Sequence, residues 1–156
     1  MGKAGKHREF VYGMHNNIPE GPAYPIRTVS DGDYRYISNL RPEEVFISKY
    51  LMGIHGDGGL DNPYWATWVY DTEAAPYTYK LVKRYMRRPA EQLYHTTEDR
   101  YEMENLANDP SQAGRLAMMR AELSRWMVGQ GDPGSPMDTR KAIEAARQGR
   151  HLYKPK

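Results

Sequence analysis

Leu116, Met119, Leu123, Trp126 and Met127 fall at i, i+3, i+7, i+10 and i+11, a single apolar stripe along one amphipathic helix. Such a helix is not stable by itself in water, and its stripe has to cover another apolar face. Its ends are marked. Asp109 is a good N-cap, Pro110 suits the first helical position and Gln112 stands where a capping box places its partner. Gly129 and Gly131, followed by Pro133, terminate it. The chain before the helix supplies the face to be covered. Residues 9–15 read as a strand, with Phe10, Tyr12 and Met14 on one side and Val11, Gly13 and His15 on the other. Pro25 precedes a second strand at 26–30, and a third follows at 34–38. Asp31-Gly32 between them is a strong hairpin signal, because a primed turn needs positive φ at its centre. Residues 91–95 read as a short fourth strand. The expected fold class is α+β: a small antiparallel sheet of about four strands packed on a long C-terminal helix.

The rest of the pattern is looser. Residues 42–46 are expected to start a short helical piece, and 53–61 are too glycine-rich for regular structure. Residues 64–70 and 77–87 are dense in aromatics. The second stretch places Leu81, Val82 and Tyr85 on a helical stripe among Lys and Arg, and Pro89 ends it. The chain has 13 Tyr and 3 Trp against 2 Phe, which suits a half-wet aromatic surface, an interface or a sugar-contacting face. One domain is expected over 8–133, followed by a basic, partly helical or extended tail over 134–156. The absence of cysteine excludes disulfides, thiolate zinc sites and a cysteine nucleophile. A net charge of +2 is too weak to argue for nucleic acid. No apolar run is long enough to cross a bilayer and no signal peptide is evident, so neither a membrane partner nor a compartment is assigned.

A self-contained active site is not legible. The histidines show no metal-binding spacing, and there is no G-x-S-x-G elbow or Walker phosphate loop. The loop His55-Gly56-Asp57-Gly58-Gly59-Leu60-Asp61 lacks the alternating oxygen ligands and terminal Glu of a calcium loop. No catalytic or metal-ligating residue is assigned. Two features rise above this background. His15-Asn16-Asn17 ends a strand and opens into a Gly/Pro loop, as a binding site or as an Asn-stabilised turn. Arg27 stands alone in a strand, either snorkelling to water or offering its planar fork to a carboxylate or sulfate. His15, Asn16 and Arg27 are the candidate substrate-binding residues.

The order of segments resembles the C-terminal domain of type I sulfatases. The residues that carry it are Tyr24-Pro25-Ile26-Arg27-Thr28-Val29, then Tyr34-Arg35-Tyr36-Ile37-Ser38-Asn39-Leu40. Glu91-Gln92-Leu93-Tyr94-His95 and Asp99-Arg100-Tyr101-Glu102-Met103-Glu104-Asn105-Leu106-Ala107-Asn108-Asp109-Pro110 complete the pattern, with His95 and Arg100 departing from it. The Tyr-rich stretch and Gly131-Asp132-Pro133 are most similar to the heparan N-sulfatase (sulfamidase) branch. The resemblance implies a subdomain that packs on a larger α/β domain, in cis or as a split gene product. There a formylglycine and calcium act on sulfated sugars. Neither group is expected to be held by this chain, which lacks Ser/Cys-x-Pro-x-Arg and paired Asp residues. It is expected to be inactive alone and to complete a substrate cleft for sulfated carbohydrate. The alternative is a stand-alone module that binds sulfated glycans or a protein.

Overall fold

The computed structural model describes residues 8–17, 21–53, 62–135 and 144. Four strands, β1 (Val11–His15), β2 (Ile26–Ser30), β3 (Tyr34–Asn39) and β4 (Glu91–His95), form one antiparallel sheet in the order β1-β2-β3-β4. Among the described residues three α-helices accompany it: α1 (Pro63–Asp71), α2 (Pro76–Met86) and α3 (Ala113–Gln130). The expected α+β class, four-stranded sheet and long C-terminal helix are all present. The His55–Asp61 loop, and the basic tail apart from residues 134, 135 and 144, lie outside the described residues.

The register puts Tyr12, Val29, Tyr36 and Leu93 in one row across the sheet. The predicted stripe of α3 covers that row: Val29, Tyr36, Leu93, Leu116, Met119 and Leu123 form the core, with Trp126 and Met127 packed at its side. Tyr12 stacks on Trp126 at 5.0 Å with an interplanar angle of 4° and donates a hydrogen bond to the buried Glu122. Both α1 and α2 lie in the connection between β3 and β4; α1 packs on α2, and Arg84 of α2 reaches Tyr94 on the opposite sheet face.

Three local expectations are corrected. The hairpin turn centres on Gly32-Asp33, because Asp31 pairs with Tyr34 through its own N–H. Only Gly32 has positive φ, at 104°. This suits the primed turn with glycine in the first central place. The Asp31 carboxylate accepts from the N–H groups of Asp33 and Tyr34 instead of sitting at the apex. Residues 42–46 form a single turn, closed by Glu44 N–H to Arg41 C=O, and no helix. Phe46 is drawn off as extended chain because its N–H bonds to the Met86 carbonyl at the end of α2. Asp109 caps as expected, accepting from Ser111 N–H at 2.8 Å, but it caps a 3₁₀ turn, Pro110–Gln112, that precedes α3. Gln112 makes no capping box there.

Asn105 explains why the segment after β4 folds as it does. Leu93 N–H and Glu91 C=O lie on the outer edge of the sheet. The Asn105 amide takes both, accepting from Leu93 N–H at 2.9 Å and donating to Glu91 C=O at 3.1 Å. The same Oδ1 accepts from Ala107 N–H. One side chain therefore closes a strand edge that would otherwise present open backbone groups.

Candidate functional site

Arg27 lies on the sheet face under α3 and is 1% exposed. A cation there has to be paired. α3 ends on Gly131 in the left-handed conformation, φ 65°, with Gly131 N–H on Val128 C=O and Asp132 N–H on Met127 C=O. This glycine cap turns the Asp132 side chain back toward the sheet. Arg27 Nε donates to Asp132 Oδ2 at 2.5 Å and Nη2 to Oδ1 at 3.2 Å, a two-point fork. Nη1 donates to Asn16 Oδ1 at 2.8 Å and to Ile26 C=O at 3.0 Å. Burial alone would raise the Asp132 pKa. The Arg27 hydrogen bond and the Gly134 N–H more than offset this and hold the carboxyl below its ordinary value.

The three sequence candidates are only partly brought together. Asn16 reaches Arg27, whereas His15 is exposed and belongs to the opposite face, paired with Ile26. Its ring stands 6.4 Å from that of Phe46. Asn17 is buried with φ 59°, and its amide donates to the carbonyls of Pro22 and Ile47. A Cβ at Gly21 would lie 2.3 Å from the Ile47 oxygen, so the loop passes there only with glycine. The Asn-stabilised turn is thus the reading that fits Asn17.

A second place was only half legible. Between α1, α2 and the outer sheet face lies a cleft of about 640 Å³. Trp65, Trp68, Tyr77, Tyr85, Tyr94 and Tyr101 line it, with Arg84 and Arg88 among them. Asn62 caps α1 by accepting from Tyr64 N–H, and Pro63 follows it. Arg84 is held by Tyr94 Oη, the Glu102 carbonyl and Met103 Sδ. The aromatic density of both segments was visible in the sequence; that they fold as a helical hairpin over Tyr94 was not.

Among the described residues no group of three or more His, Cys, Asp or Glu stands close enough to hold a metal ion. Among the described residues, no helix is long and apolar enough to cross a membrane.

Comparison with known proteins places the chain. It is 29% identical over 138 residues to an ulvan-active sulfatase of Formosa agariphila, covering 81% of this chain and 20% of that protein. The chain is a relative of the sulfatases. The human N-sulphoglucosamine sulphohydrolase is 27% identical over 130 residues, which is 79% of this sulfatase-related chain and 24% of the human protein. A solved chain of a candidate sulfatase from Bacteroides thetaiotaomicron aligns with a TM-score of 0.48 at 21% identity, over 83% of this chain and 18% of that one. No family model matches. The chain spans about a fifth to a quarter of the length of the curated relatives it matches.

Proposed function

We propose that this chain is the C-terminal, non-catalytic part of a sulfatase acting on sulfated sugars, and that it packs on an α/β catalytic domain and completes its substrate cleft. One observation carries the reading. α1 is apolar or aromatic on every side, with Tyr64, Trp65, Trp68, Val69 and Tyr70 in one short helix. A helix of that kind belongs inside a protein, yet only Trp65 is buried while Tyr64 and Tyr70 are 75% and 82% exposed. The missing cover is assigned to the α/β domain, since the part of this chain that matches spans only 20% and 24% of the length of two relatives. Formylglycine and calcium belong to that domain. Within this chain the Arg27–Asp132 pair acts as a clamp between sheet and helix, and exposed His15 is the sequence candidate left to face a ligand.

The test is to mix the chain with a sulfatase α/β domain from which the C-terminal part has been removed. Co-elution and recovered sulfate release are expected, with Tyr70→Lys abolishing both. Separate elution of two folded proteins, with no activity recovered, would overturn the assignment.

A further inference from the structure

Arg88 is the one charge of the aromatic cleft whose arrangement the fold alone does not account for. It follows α2, and its guanidinium carbon lies 4.0 Å from the centre of the Phe46 ring and 5.4 Å from that of Tyr85. Its Nε donates to the Tyr85 carbonyl at 3.2 Å. Neither terminal nitrogen has a hydrogen-bond partner among the described residues. The groups acting most strongly on it are the phenols of Tyr85, Tyr24 and Tyr94 and the like charge of Arg84; no carboxylate is among them. Burial pushes its pKa down from the ordinary arginine value. The acids of the cleft are engaged elsewhere: Glu102 pairs with Arg35 at 2.5 Å, and Asp71 accepts from Thr78 Oγ1. A half-buried cation without an acid is held at a cost that an anionic ligand would remove.

The walls around it specify more than an anion. Trp68, Tyr77 and Tyr101 line the cleft and are 48%, 64% and 77% exposed. Flat, half-wet rings of this kind suit a ligand with a C–H face and polar edges. A sugar ring has such a face, and a sulfate on it matches the planar donor fork of arginine.

We propose that this cleft is a binding subsite for a sulfated sugar unit, with Arg88 holding the sulfate and Trp68 and Tyr77 stacking on the ring. The proposal rests on the reading of the chain as part of a sulfatase and names a second place, inside the chain itself, where the sugar is held. The subsite lies on the sheet face opposite Arg27.

The experiment uses the full chain and the indole N–H signals of its three tryptophans. The probes are an N-sulfated glucosamine disaccharide, its desulfated counterpart and inorganic sulfate. The sulfated disaccharide is expected to move the signals of Trp65 and Trp68 and to leave that of Trp126, stacked on Tyr12, in place. Arg88→Gln and removal of the sulfate are each expected to weaken binding by about tenfold or more, the loss of a charge-assisted hydrogen bond. Trp68→Ala, at a half-exposed position beside buried Trp65, tests the ring contact and is expected to weaken binding about threefold or more, with an unchanged Trp126 signal as the check that the variant folds. Arg88→Lys keeps the charge without the fork and should fall between wild type and Arg88→Gln, which keeps the test valid should Arg88→Gln not fold. Equal binding of the sulfated and desulfated sugars, equal shifts of all three indoles, or wild-type affinity in a folded Arg88 variant would each overturn the proposal. So would inorganic sulfate binding as tightly as the disaccharide. Failure of the chain to co-elute with an α/β domain bears on the docking reading alone, and failure to bind the sugar bears on the subsite alone.

Discussion

Arg27 takes its charge into an interior where Asp132 and Asn16 between them engage every nitrogen of its fork. Removing the acid would strand a guanidinium that is 1% exposed. Asp132→Asn is therefore expected to destabilise the chain by about 3–5 kcal/mol, measured by denaturant unfolding. The pH dependence follows from the same contact. The Asp132 carboxyl is held below its ordinary value in the folded state. Its contribution is thus complete above the unfolded pKa of about 3.9 and lost as the pH falls through the lower folded value. The gap between wild type and Asp132→Asn should close in that acid window and stay constant above it. Tyr36 gives the opposite sign. Burial first, then its hydrogen bond to Glu91, pushes its phenol up to about 12 from 10.0. Its contribution is whole below the unfolded value and declines as the pH rises toward the folded one. Ultraviolet titration should find a phenol ionising last among the tyrosines, and Tyr36→Phe should remove that last step.

At the scale of elements, β4 depends on a residue outside the sheet. Asn105→Ala removes two bonds to the β4 edge and the bond to Ala107 N–H. A loss of about 2–4 kcal/mol is expected, because backbone groups are left without partners. Hydrogen exchange at Leu93 should accelerate more than at Tyr36 in the neighbouring strand. Asn105→Asp keeps the acceptor and loses the donor, so its effect should be smaller. The elements that sequence reveals are those with a period. β2 alternates in burial and α3 repeats its stripe, so the strand at 26–30 and the α3 face are legible from side chains alone, whereas β4 buries Gln92, Leu93 and Tyr94 in succession. α1 escapes the same reading because aromatics on all its sides leave no stripe to detect. The turn at Gly32-Asp33 differs from the expected centre by one residue, since its register is fixed by the pairing of Arg35 with Ser30 and not by the Asp-Gly dipeptide. The Arg27–Asp132 pair bridges 105 positions in the sequence, a distance no local pattern spans. Arg27 could be read from the sequence only as water-seeking or anion-seeking. The anion it found belongs to the cap of α3.

For the whole molecule, the two sides of the sheet have different fates. The α3 side is closed by a continuous core, and on the other side, among the described residues, Arg84 of α2 reaches Tyr94 across an open cleft. The α1–α2 hairpin presents Tyr64, Tyr70, Tyr77 and Tyr79 outward, each more than half exposed. Apolar exposure on this scale favours association, and for the isolated chain the readiest partner is a second copy. Sedimentation of the isolated chain is therefore expected to show concentration-dependent self-association. The double substitution Tyr64→Lys and Tyr70→Lys should suppress it without lowering the unfolding temperature, because neither ring belongs to the core. The cores of the wild type and the double variant would be the same, so any change must come from the surface. A monomeric wild type at high concentration would mean that these rings need no cover, and the argument for a docking face on α1 would fail with it.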